Sequence, residues 1–148
     1  MNLGSGIEVI ISAAVGNFIA QFYKFISFII TNKKLNLARL FQTGGMPSSH
    51  TAFMVAMTTS CGLISGFNSV DFAIALVITF VVMYDAAGLR RSVGKQAAVI
   101  NQIISELFSQ HPHLSSERFK ELLGHTPIEV FVGAILGINI ALIVHWIC

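Results

Sequence analysis

"PIEVFVGAILGINIALIVHWI", residues 127–147, decides the fold: between Glu129 near its start and His145 near its end, no ionisable side chain interrupts it. About 20 mostly apolar residues are what an α-helix needs to cross the hydrocarbon core of a bilayer. Three more stretches of this kind run from Ile7 to Ile30, from Thr51 to Phe67 and from Asp71 to Ala87. The second, at only 17 residues, would only just cross. The chain as a whole agrees, with 54% hydrophobic and only 11% charged residues and a mean hydropathy of +0.74, well outside the range of soluble domains. The expectation is an all-α integral membrane helical bundle forming one domain over residues 1–148, with about four transmembrane helices plus an amphipathic interfacial helix.

The connections order these spans. Asn68-Ser69-Val70 is too short for anything but a tight turn, so the second and third helices should pair antiparallel, with Ser69 as N-cap of the third. From Gly94 to about Gln110 the apolar residues Val99, Ile103 and Leu107 recur at helical spacing among polar ones, which predicts an amphipathic helix at the interface. A short helix after Ser115 or Ser116, stopped by Gly124, should follow it. Lys33, Lys34 and Arg39 lie in one connection and Arg90, Arg91, Lys95, Arg118 and Lys120 in another, whereas the N-terminal tail and the 68–70 turn carry no Lys or Arg. The positive-inside rule then puts both basic connections in the cytoplasm and both termini outside. No Lys or Arg precedes Lys24, so the first apolar segment lacks the basic start of a cleaved signal and is expected to remain an anchor.

Several function classes fall away. A formal charge of +2 with no basic stripe argues against nucleic acid as a partner. Cys61 and Cys148 fit neither a disulfide framework nor a metal-ligand spacing, and no metal or other cofactor is expected.

The polar residues gather toward the cytoplasmic side in four clusters. Asn17, Gln21 and Lys24 share one face of the first helix; an ionisable residue at membrane depth usually faces the bundle interior, although Lys24 is near enough to the helix end to snorkel. "GGMPSSH", residues 44–50, opens the second helix with Pro47 in its first turn, glycines that admit a ligand, and Ser48, Ser49 and free amides that suit an anion, with His50 facing the same point. Simple capping by Ser48 or Ser49 explains the serines equally well. Asp85 is followed by Arg90 and Arg91, whose guanidinium forks suit phosphate oxygens but which the positive-inside rule alone also predicts. In "GHTPIEV", residues 124–130, Glu129 stands four residues after His125, close enough to fix its tautomer, while Thr126-x-x-Glu129 also reads as a capping box. Together the clusters supply what metal-independent phosphoryl transfer needs: a nucleophile, an acid for the leaving oxygen, and cations for the equatorial oxygens.

"MPSSH" is similar to the P-S-G-H signature of type-2 phosphatidic acid phosphatases, and "HTPIEV" looks like the end of that family's S-R-x5-H-x3-D motif with Glu for Asp. "GGMPSSHTA", "MYDAAGLRRSVGKQA" and "LLGHTPIEVFVG" together resemble the divergent bacterial and plastid branch of that superfamily over nearly the whole chain. The resemblance implies a membrane-embedded, metal-independent lipid phosphate phosphatase of a bacterial inner membrane, acting at the cytoplasmic face. By carry-over His125 is the nucleophile that forms a phosphohistidine, Glu129 orients it, His50 protonates the leaving alcohol, and Ser48 and Ser49 hold the phosphate. The first motif of the family, K-x6-R-P, is not found: Lys33 and Arg39 are one residue too close and Leu40 replaces the proline. Lys24 and Arg39 stand in for it by position, and Arg90 or Arg91 for the arginine that Phe119 replaces six residues before His125. The family core has six helices, so a homodimer would complete the bundle. Candidate substrates are phosphatidylglycerophosphate, phosphatidate and isoprenoid phosphates. The rival readings are a non-catalytic lipid-phosphate binder or translocation protein that keeps the anion pocket, and a small structural membrane subunit.

Overall fold

A computed structural model of the chain describes residues 5–33, 45–108 and 126–148. Its regular elements are all helical: α1 Ser5–Asn32, α2 Ser49–Ser65, α3 Val70–Ala87, α4 Leu89–Phe108 and α5 Pro127–Ile147. Among them α1, α3 and α5 are long and apolar enough to cross a membrane. The 17 residues of α2 rise about 26 Å, a little short of the hydrocarbon core.

That short helix sits at the centre, packed against α1, α3 and α5. Hydropathy does not explain its place, but side-chain size does. Ala52, Ala56 and Ser60, four residues apart on one face, are fully buried, and glycines meet them from two sides. A Cβ added at Gly137 of α5 would lie 2.7 Å from the Ala52 carbonyl oxygen, and one added at Gly16 of α1 would lie 2.9 Å from the same atom. Between helices in lipid there is no hydrophobic driving force, so close backbone approach through small residues supplies the contact instead. Larger apolar groups point outward: Phe18, Val77, Phe80, Phe131 and Ile143 are exposed on α1, α3 and α5, as suits helices whose solvent is hydrocarbon.

The α2–α3 hairpin forms as its short turn requires. Gly66, at φ +89°, ends α2, the Ser69 hydroxyl accepts from the Phe72 amide at 3.1 Å, and Phe67 packs edge-on against Phe72 with ring centroids 5.1 Å apart. Deeper in, the hydroxyls of Thr58 and Thr79 lie 2.6 Å apart, with Thr58 also 3.1 Å from the Ala75 carbonyl and Thr79 3.2 Å from that of Met54. Each hydroxyl thus meets polar partners on the facing helix, where lipid could offer none.

The amphipathic helix exists but starts earlier than its periodicity suggests, at Leu89 instead of Gly94. The Gly88 amide donates to the Tyr84 carbonyl at 2.9 Å and closes α3, so the chain enters α4 at once and Arg90 and Arg91 fall in a first helical turn. Val93, Val99, Ile100 and Ile103 remain exposed on α4, as on a helix lying at a lipid interface. The short helix expected after Ser115 lies outside the described residues. At the end of the bundle reached by the N-terminus of α1 and the C-terminus of α5, Glu8 Oε1 and His145 Nδ1 are 2.7 Å apart and tie the first helix to the last.

Candidate functional site

At the opposite end the C-termini of α1 and α3 meet the N-termini of α2 and α5. Two caps build this end. The Ser48 hydroxyl accepts from the Thr51 amide at 3.3 Å and starts α2. Pro47, expected in the first turn, therefore lies one residue before the cap. Thr126 caps α5 through a complete capping box: the Glu129 amide donates to Thr126 Oγ1 at 3.4 Å and the Thr126 amide donates to Glu129 Oε2 at 3.2 Å. The two helix starts are joined directly, because the Ser48 amide donates to the Glu129 carbonyl at 3.0 Å. Gly133 makes this junction possible: a Cβ there would lie 2.6 Å from the Ser48 carbonyl oxygen.

Lys24 reaches the same junction from α1. Its Nζ donates to Ser49 Oγ at 3.2 Å, and the Glu129 carboxylate is within its electrostatic reach. Ser48 and Ser49 are both buried. Gly45, at φ +81°, lets the approaching backbone pass over the lysine stem, where a Cβ would sit 3.6 Å from Lys24 Cδ. Side chains from three helices therefore converge at two helix N-termini, whose partial positive charge adds to that of the ammonium. Ser48 spends its hydroxyl on the cap and its amide on Glu129, so Ser49 is the serine that faces the cation.

His50 faces another way. It lines a cleft of about 620 Å³ together with Asn17, Phe53, Met54, Val81, Val82 and Asp85, between α1, α2 and α3. The sequence expectation of one common point for Ser48, Ser49 and His50 is thus divided: Ser49 turns toward Lys24, and His50 toward Asn17 and Asp85. Asp85 was named with Arg90 and Arg91 but given no role of its own, although a carboxylate at the end of an apolar helix is a signal by itself. Gln21, on the Lys24 face of α1, has a buried Oε1 that makes no hydrogen bond among the described residues.

Arg90 and Arg91 open α4 directly after the α3 end that carries Asp85. Arg39 and His125 lie outside the described residues, His125 immediately preceding the N-cap Thr126 in the chain. Among the described residues no three His, Cys, Asp or Glu side chains come together in a way that could hold a metal ion. The arrangement brings the Lys24 ammonium and the Ser49 hydroxyl together near the Glu129 carboxylate and leaves the His50 imidazole in a separate cleft.

Residues 6–140 match the model of the Divergent PAP2 family. The chain is 35% identical over 147 residues to the uncharacterized membrane protein YuiD of Bacillus subtilis (strain 168), covering 93% of each chain. No solved structure matches it significantly.

Proposed function

Because the chain belongs to the Divergent PAP2 family, we propose that it is a membrane-embedded lipid phosphate phosphatase that works without a metal, through a phosphohistidine. The observation that carries this reading is the contact between Lys24 and Ser49 with Glu129 in electrostatic reach, three residues from three helices at one junction. The phosphate oxygens of a lipid monoester bind the Lys24 ammonium and the Ser49 hydroxyl, and Arg39, Arg90 and Arg91 are the further cations for the equatorial oxygens. His125 attacks phosphorus; the P–N bond forms as the P–O bond to the lipid alcohol breaks, and His50 gives its proton to the departing oxygen. Glu129 accepts the N–H of the other His125 ring nitrogen and holds the imidazole in the attacking tautomer. Water, losing a proton to His50, then breaks the P–N bond and releases inorganic phosphate. Apart from Lys24, the Lys and Arg residues of the sequence fall in the connections that join α1 to α2 and α3 to α5, which under the positive-inside rule supports a site facing the cytoplasmic leaflet with both termini outside. Phosphatidylglycerophosphate, phosphatidate and isoprenoid phosphates all present the required monoester or terminal phosphate there.

The test is phosphate release from a panel of these lipids, in detergent or liposomes, by wild type and His125→Ala. Release by wild type that the variant loses is expected. Equal rates for the two proteins would remove His125 as nucleophile. One observation favours a second reading, a non-catalytic lipid-phosphate binder or translocation protein: the Glu129 carboxylate is engaged by the Thr126 amide in the capping box. That reading gains ground if wild type binds lipid phosphate without releasing phosphate.

A further inference from the structure

The end of the bundle away from Lys24 holds a second polar cluster, which the phosphate reading does not use. Ser12 of α1 and Ser60 of α2 are fully buried, and neither Oγ makes a hydrogen bond among the described residues. Helix packing puts the two in one layer. Lys24 Nζ meets Ser49 Oγ at 3.2 Å, and farther back along α1 a Cβ at Gly16 would lie 3.2 Å from Ala56 Cβ. The two helices therefore run antiparallel in a register that brings Ser12, one turn before Gly16, level with Ser60, one turn after Ala56. The third wall is α5: Gly137 closes on the same Ala52 carbonyl as Gly16, so its next turn sets the fully buried Ala141 beside the serines. One turn beyond, the buried Glu8 carboxylate holds His145 Nδ1 at 2.7 Å. Ser12 leans toward that carboxylate, because helical side chains tilt toward the helix N-terminus. We propose that Glu8, Ser12 and Ser60 bind one small monovalent cation of the sodium type, with His145 orienting the carboxylate.

Charge and ligand type select this guest. A buried hydroxyl without a partner is costly, and lipid offers it none, so the layer favours a polar guest. The carboxylate repels an anion. Calcium takes about six to eight oxygens, more than one glutamate and two serines supply, and magnesium keeps several waters, for which a fully buried layer of serine and alanine is too small. Water alone satisfies the hydroxyls but brings no counter-charge to a carboxylate at membrane depth. A monovalent cation does both: it takes Glu8 Oε2 and the two Oγ atoms as ligands, while a neutral imidazole donates Nδ1–H to Oε1 and fixes the carboxylate, as outer partners of a metal ligand do. The tight packing of the layer favours sodium over the larger potassium. Below it, the Gly16 and Gly137 backbones close on the Ala52 carbonyl, so the ion enters and leaves past Glu8. The site thus holds a cation without passing it through the bundle, and it fastens α2 to α1 beneath the tie between α1 and α5.

The experiment is thermal unfolding of the full chain in an uncharged detergent, followed by Trp146 fluorescence, in sodium, potassium or choline chloride at one ionic strength. Equilibrium binding of radioactive sodium is measured on the same samples. Sodium at about ten times its Kd should raise Tm by about 3–6 °C over choline, potassium should raise it by less than about half as much, and binding should saturate near about one ion per chain. Ser12→Ala and Ser60→Ala separate a bound ion from a merely structural role. In choline each variant should be at least as stable as wild type, because a hydroxyl without a partner has been removed; in sodium each should lose both the rise in Tm and the bound ion. Glu8→Gln should bind no sodium. An equal Tm in the three salts, absence of sodium binding by wild type, or a sodium response that survives in Ser60→Ala overturns the proposal. So does a loss of stability in Ser60→Ala that is the same in every salt, which is the mark of a bound water. None of these readouts involves phosphate release, so they stand whether or not the chain is a phosphatase.

Discussion

Lys24→Met is the substitution that separates a site lysine from a snorkelling one. In the free protein the ammonium makes one hydrogen bond to Ser49 Oγ at 3.2 Å, worth about 1 kcal/mol net. Removing it also relieves the cost of desolvating a half-buried cation, so folding stability should change by less than about 1 kcal/mol. With a phosphate bound the balance differs. A unit charge about 4 Å from Nζ interacts by about 4 kcal/mol at an effective dielectric of about 20, and partial exposure reduces that by roughly a third to a half. The remaining loss of about 2–3 kcal/mol predicts a fall in kcat/KM of about 30- to 150-fold, with Lys24→Arg recovering much of it. Phosphate release from detergent-solubilised lipid phosphate measures the rate, and the fluorescence of Trp146, the single tryptophan, follows thermal unfolding. A kcat/KM within about threefold of wild type, at an unchanged Tm, would refute the placement of the phosphate at Lys24.

Two further predictions concern the frame. Gly137→Val puts branched carbon where a Cβ is already 2.7 Å from the Ala52 carbonyl oxygen; it should cost about 1–3 kcal/mol of stability, read as a lowered unfolding midpoint in detergent, whereas Leu142→Val should cost far less. Glu8→Gln weakens the contact with His145 Nδ1 at a point 16 residues before Lys24 on α1, about 24 Å away along the helix axis. It should lower thermal stability by about 0.5–1.5 kcal/mol and leave kcat unchanged, and a matching loss of turnover would show that the two ends are coupled.

The parts of the fold that were legible in the sequence are those set by local chemistry. The span Pro127–Ile147 has the bounds its composition predicts because Thr126, Pro127 and Glu129 together specify a helix start. The second helix is displaced from its expected Thr51–Phe67 because Ser48 caps it early and Gly66 ends it, freeing Phe67 to pack on Phe72. Its central position was not visible to hydropathy, which rates a lipid-facing and a protein-enclosed helix alike. The visible signal was steric, in the spacing of Ala52, Ala56 and Ser60 and of Gly133 and Gly137. At the candidate site, sequence reasoning named Lys24 and Ser49, but their meeting depends on how closely Gly16 lets α1 approach α2. It placed His50 at the same point as its neighbours, whereas one residue along a helix turns a side chain by about 100° and carries His50 into the cleft with Asp85.

The central claim is that phosphate passes through a covalent bond to His125 at the junction of α1, α2 and α5. Its most direct measurement is mass spectrometry of protein quenched during turnover of a lipid phosphate, under conditions that preserve phosphohistidine. The account predicts the mass of one phosphoryl group on the peptide containing His125 in the wild type and none in His125→Ala. Steady release of phosphate by wild type and His125→Ala alike, with no phosphoryl group on that peptide, would contradict it.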